Sequence, residues 1–136
     1  MLALCLLAVS IALTPVLSIA KAKHAPLPEE LLAAKTVYLL NKTGNQSALD
    51  TAYEQFQKWG RYSVVSKKES ADIIVVFTHD AGLNDGTTIG FTHMNVYLKD
   101  NEEAAFEATE RYRSKLFGNS SVKQCVTDFK NRIDPH

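Results

Sequence analysis

The chain has 136 residues, room for one domain and hardly two. Its 15 Lys and Arg are balanced by 15 Asp and Glu, so no net field favours nucleic acid or an anionic membrane surface. No HExxH, paired CxxC, EF-hand spacing, GxSxG, GxxxxGK[ST] or GxGxxG occurs, which leaves the common zinc, calcium, serine-hydrolase and nucleotide templates without support and implies no cofactor.

The first twenty residues, MLALCLLAVSIALTPVLSIA, carry no charged side chain. They read as an export signal ending in small residues, with cleavage after Ala20 or after Ala22. The competing reading is an uncleaved anchor, because the stretch is nearly long enough to span a bilayer. Pro15 and the small residues favour the signal. Cleavage would remove Cys5 and leave Cys125 as the only thiol, so no intrachain disulfide could form. The expectation is a secreted or periplasmic protein with no membrane span once the signal is gone.

Residues 21–34 read as a linker, kept extended at first by Pro26 and Pro28. KTVYLLN, 35–41, is rich in strand formers and ends at KTGN, so it is the first predicted strand. SALDTAYEQFQKWG, 47–60, predicts a helix with Ser47 and Asp50 as a capping box. Leu49, Ala52, Tyr53 and Phe56 recur at helical spacing, and Gly60 suits a left-handed stop. RYSVVS, 61–66, is a short strand. DIIVVFT, 72–78, is apolar without alternation, which predicts a central strand buried on both faces.

THDAGLNDGTTIGFTH, 78–93, reads as a polar loop between strands. Alternation resumes over 90–100, with Phe91, His93, Asn95 and Tyr97 on one side and Thr92, Met94, Val96 and Leu98 on the other. Residues 104–113 are ambiguous: Ala, Glu and Arg favour helix, while weak alternation and the short connection favour a hairpin strand, which is preferred. SVKQCVTDFKNRI, 121–133, predicts a second helix, with a Ser121–Gln124 capping box and a stripe of Val122, Cys125, Val126, Phe129 and Ile133. The sum is one α+β domain over 35–133. It has a single mixed sheet of four to five strands and two helices packed on one face, in the order β-α-β-β-β-β-α.

KTVYLLN, a helix ending FQKWGRYSVV, ESADIIVVF, a strand pair and a final helix together resemble small exported α+β domains of bacterial cell envelopes. They are more distantly similar to the N-terminal α+β domains of envelope assembly factors. The resemblance spans roughly residues 33–133 and brings no catalytic signature. It implies a binding or assembly module.

Two groups of residues are candidate sites. His79, Asp80 and His93 could form a metal centre if they converged within zinc-ligand distance. Against that, adjacent strand residues point to opposite faces, and the loop reading is preferred. Trp59, Arg61 and Tyr62, with Arg111, Tyr112 and Arg113, pair bases with aromatic rings and could bind a glycan, peptide or anionic polymer. The competing reading places Trp59 and Tyr62 at a packed helix–strand junction. Cys125 lies on an apolar stripe and reads as core. The preferred function is a non-enzymatic, exported binding module for an envelope protein or cell-wall component, with no nucleic-acid partner. A small metal-dependent enzyme using His79, Asp80 and His93 is the alternative.

Overall fold

A computed structural model of the protein describes residues 25–84, 87–112 and 119–136. The expected export signal and its cleavage sites lie outside the described residues. No helix among the described residues is long and apolar enough to cross a membrane.

The elements are α1 (Glu29–Ala33), β1 (Thr36–Asn41), α2 (Gln46–Trp59), β2 (Ser63–Val64), β3 (Ile73–Asn84), β4 (Thr87–Leu98), β5 (Ala104–Tyr112) and α3 (Ser120–Ile133). They make the expected α+β fold, one mixed five-stranded sheet in the order β2-β1-β3-β4-β5. β1 is parallel to both β2 and β3, whereas β3–β4 and β4–β5 are antiparallel. Residues 104–112 are a strand, as the short connection suggested.

The polar loop expected over 78–93 is instead two arms of a long hairpin. β3 and β4 pair without interruption from Ile73↔Leu98 to Asn84↔Thr87. Main-chain pairing is indifferent to side-chain polarity, so it carries the strands through His79, Asp80 and Gly82. Asp85 and Gly86, between the arms, lie outside the described residues. Gly90 answers a steric demand, since a Cβ there would meet Tyr112 Cβ and Cδ1 at 3.3 Å.

Both helices begin differently from the predicted capping boxes. α2 starts at Gln46, capped by the Asn45 carboxamide oxygen, which accepts from the Ser47 N–H at 3.1 Å. An Asn on extended backbone does here what the Ser47 hydroxyl was expected to do. Asp50 accepts instead from Gln46 Nε2. α3 starts at Ser120, and Ser121 is buried with its hydroxyl 2.7 Å from Thr92 Oγ1. Gln124 donates to Asp128 rather than back to the cap. Gly60 closes α2 with φ 72° and donates to the Phe56 carbonyl, as its position implied.

The helices cover one face of the sheet. Val37, Leu39, Ile73, Val75, Phe77, Met94 and Val96 are buried beneath Ala48, Ala52 and Phe56 of α2 and the full predicted stripe of α3. Tyr53 is 45% exposed, because the buried stripe of α2 runs through Ala48 instead. β3 is central, but it is not buried on both faces. Ile74 and Val76 point to the second face and are only half-buried, as are Tyr38, Leu40, Phe91 and Tyr97 beside them. Among the described residues no helix lies on that face, which we call the open face.

Phe129 is the centre of the packing between helices and sheet. Tyr62 stacks on it at 6.0 Å, Trp59 meets it edge-on at 5.5 Å and Phe106 lies 5.0 Å away. Nor are residues 25–34 extended throughout. α1 drives Leu31 into the core at 0% exposure, and its carbonyl accepts from the Tyr62 hydroxyl. Deleting a fully buried leucine side chain costs about 2–5 kcal/mol. Leu31→Ala should therefore lower unfolding free energy by that amount in urea denaturation, while Leu32→Ala, 43% exposed, should stay within about 0.5 kcal/mol. Equal, small losses would place α1 outside the cooperative fold.

Candidate functional site

Strand alternation decides the fate of the His–Asp group. His79 pairs with Thr92, whose side chain is buried against Ser121 of α3, so His79 belongs to the helix-covered face. Asp80 and His93 belong to the open face. There His93 Nε2 lies 2.8 Å from Asp80 Oδ2, and Nδ1 lies 2.9 Å from Thr109 Oγ1. The proposed metal centre of His79, Asp80 and His93 does not form, because a pleated sheet separates its first member from the other two. Among the described residues no three His, Cys, Asp or Glu side chains gather as a metal-binding group.

Asp80, His93 and Thr109 stand in the order carboxylate, imidazole, hydroxyl, the order of a nucleophilic triad. Their setting differs from one. Asp80 Oδ2 faces Nε2 and Thr109 Oγ1 faces Nδ1, so both ring nitrogens have partners within the sheet itself. β4 is paired on both sides, so its N–H groups are spent in the ladders and offer no oxyanion donors. The row acts as a cross-strand polar clamp over three strands. Thr109 was not foreseen, because its role depends on the β4–β5 register.

At the same end of the sheet, on the helix-covered side, lies a cavity of about 600 Å³. Its wall includes Thr43, Asn45, Ser47, His79, Tyr112 and Asn119. Two polar turns build it. Asn41 Oδ1 accepts from the Thr43 N–H and hydroxyl, and Asn41 Nδ2 donates to the Asn45 carbonyl at 2.8 Å. Asn119 Nδ2 donates to Ser47 Oγ at 2.7 Å and so ties the start of α3 to the start of α2. The Tyr112 ring lies over Gly90 and 5.1 Å from the His79 ring. His79 Nε2 is buried and has no hydrogen-bond partner. Burial, with the charge of His93 adding to it, holds the His79 pKa below its ordinary value. The NKTGN and GNSS segments carried the only sequence signal for this cavity, an Asn ahead of each helix.

The other candidate residues are dispersed. Tyr62 is buried, and Trp59 Nε1 donates to Asp134 Oδ2 at 2.8 Å. Arg61 bonds Asp134 Oδ1 at 2.9 Å and the Leu32 carbonyl at 2.8 Å. These three side chains tie the α2–β2 junction to α1 and to the end of α3. Arg111 pairs opposite Phe91 on the open face, whereas Tyr112 points to the helix-covered face. Arg113 and the rest of RYRSKLF beyond Tyr112 lie outside the described residues. Cys125 is core, as expected, and burial pushes its thiol up to about 12, far from nucleophilic at neutral pH.

No protein-family model matches the chain, and no curated protein matches it by sequence. Among solved structures, a PelC dodecamer from Paraburkholderia phytofirmans aligns with TM-score 0.52 and 15% identity, over 82% of this chain and 95% of that one. A variant PelC dodecamer from the same organism aligns with TM-score 0.46 and 15% identity, over 74% and 89%. A minor lipoprotein from Acinetobacter baumannii aligns with TM-score 0.37 and 12% identity, over 73% and 88%. The expected likeness to small bacterial α+β domains thus holds at the level of fold, and at these identities at that level alone.

The state of His79 is directly measurable. In a proton NMR titration its ring should titrate below the ordinary imidazole value of 6.5. The folded state then binds fewer protons than the unfolded chain, so this group's stability is intact above 6.5 and is lost as pH falls toward the folded pKa. His79→Asn should flatten that stretch of the stability curve. An unchanged curve would mean that His79 is solvated.

Proposed function

We propose that the chain is an exported, non-enzymatic domain of the bacterial cell envelope that works by binding protein, and that its open sheet face is the contact surface. The observation that carries this reading is the asymmetry of the sheet. Tyr38, Leu40, Ile74, Val76 and Tyr97 give the face without helices a half-buried apolar surface across β1, β3 and β4. Such patches favour association because covering them removes apolar area from water.

The partner we assign is a further copy of the chain. A PelC structure of the same fold is a dodecamer, so this architecture is compatible with assembly of many copies. The polar groups most able to do chemistry are otherwise engaged. His93 is clamped by Asp80 and Thr109, and Cys125 is sealed in the core, which supports binding over catalysis. The apolar, uncharged stretch 1–20 supports export.

The test is the native mass of the full chain, expressed in a Gram-negative host and recovered from its periplasm. The account expects a chain cut after Ala20 or Ala22, in particles of more than one copy. The Leu40→Lys, Val76→Lys pair should return it to single copies with an unchanged melting midpoint. A wild-type chain that stays single at its highest soluble concentration overturns self-association. Multimers that survive the two lysines move the contact off the open face.

A further inference from the structure

Covering the open face leaves the two edges of the sheet unaccounted for, and the edges differ. β2 is two residues long, too short to template a neighbour. β5 runs for nine residues, Ala104–Tyr112, without a proline. Among the described residues no backbone group pairs with its outer side, so its outward N–H and C=O groups can take a further strand. By Asn119 the chain lies on the helix-covered side, tied to Ser47 of α2.

Past the register shift at Val96/Tyr97, β5 pairs regularly with β4 from Phe106 to Tyr112. Thr109 is the middle of that stretch. On the open face it is flanked by Glu107 and Arg111, both exposed. Neither forms an ion pair among the described residues. They stand about 14 Å apart along one strand, at ~3.4 Å per residue, so they cannot pair with each other.

A second copy gives each charge a partner. Laid antiparallel along β5 about a two-fold axis at Thr109, it sets Glu107 of each copy opposite Arg111 of the other. On the helix-covered side the same register sets Phe106 opposite Tyr112. Centring on Ala108 would leave Glu107 facing Thr109, and centring on Glu110 would set two carboxylates face to face. The charges of the edge therefore select one register, and they select it for the chain's own copy.

We propose that β5 pairs antiparallel with β5 of a second copy, centred on Thr109 and held by two Glu107–Arg111 ion pairs. The axis of this contact is perpendicular to the sheet, so the joined copies keep their open faces on one side as one wider surface. The edge rests on the open-face reading for its strength. A contact about 30 Å long and ~10 Å thick covers roughly 600 Å² over both copies, under the roughly 1,000 Å² of a stable interface. Alone it falls apart, but two edges within one particle act together. Open-face pairs joined at their edges make a particle of at least four copies.

The experiment is the native mass of the exported chain in four forms at one concentration: wild type, Glu107→Arg, Arg111→Glu and the double exchange. Both positions are exposed, and an unchanged melting midpoint confirms that each variant folds. The wild type is expected at four copies or more. Each single reversal sets like charges opposite each other and should leave particles of two copies. The double exchange restores opposite charges and should restore the wild-type mass. Single reversals without effect, or a double exchange no heavier than either of them, overturn the edge. A wild type of two copies indifferent to the reversals overturns the edge alone and leaves the open-face reading standing, whereas a wild type that stays single overturns both. Pairs that survive Leu40→Lys, Val76→Lys and dissolve on Glu107→Arg would assign the contact to the edge and overturn the open-face reading.

Discussion

Five strands offer two faces, and α2 and α3 cover one. Most of the molecule follows from that constraint. The helices must share a single sheet face, so they pack side by side, and Phe129 becomes the point where α3, α2, the turn before β2 and β5 meet through aromatic rings. The ends of that arrangement need fastening. Asp134 takes both Trp59 and Arg61, and α1 inserts Leu31 beneath Tyr62. On the far face no such closure exists among the described residues, and the strands there keep their apolar side chains half-exposed.

The same constraint sorts the chemistry-bearing residues. The pleat sends Asp80 and His93 to solvent, where they become a register clamp with Thr109, and sends His79 inward, where it lines a cavity between helix starts. Neighbours in sequence thus serve different surfaces.

Much of this could be read from the residues, where side-chain period and burial agree. The alternation from Phe91 to Leu98, the α3 stripe and the Gly60 stop translated directly, because each follows from one local rule. What escaped depends on contacts distant in sequence. The hairpin arms through His79 and Asp80 are held by main-chain pairing that polar residues do not advertise. The apolar run of β3 looked doubly buried because a half-covered face and a fully covered one can carry the same Ile and Val. The Asn45 cap was hidden by a Ser and an Asp in the right spacing two residues too late. Of the cavity, only the two Asn residues were visible, since its wall joins segments that are 72 residues apart at the Ser47–Asn119 bond.

The measurement that bears most directly on the central claim is site-specific photo-crosslinking in cells that export the chain. A photoreactive side chain would be placed at Tyr38 or Tyr97 on the open face, and at Tyr53 on the exposed side of α2. The account predicts adducts between copies from positions 38 and 97 and none from 53. Adducts from position 53 alone would show that the copies meet across the helices, and the open face would lose its assigned role.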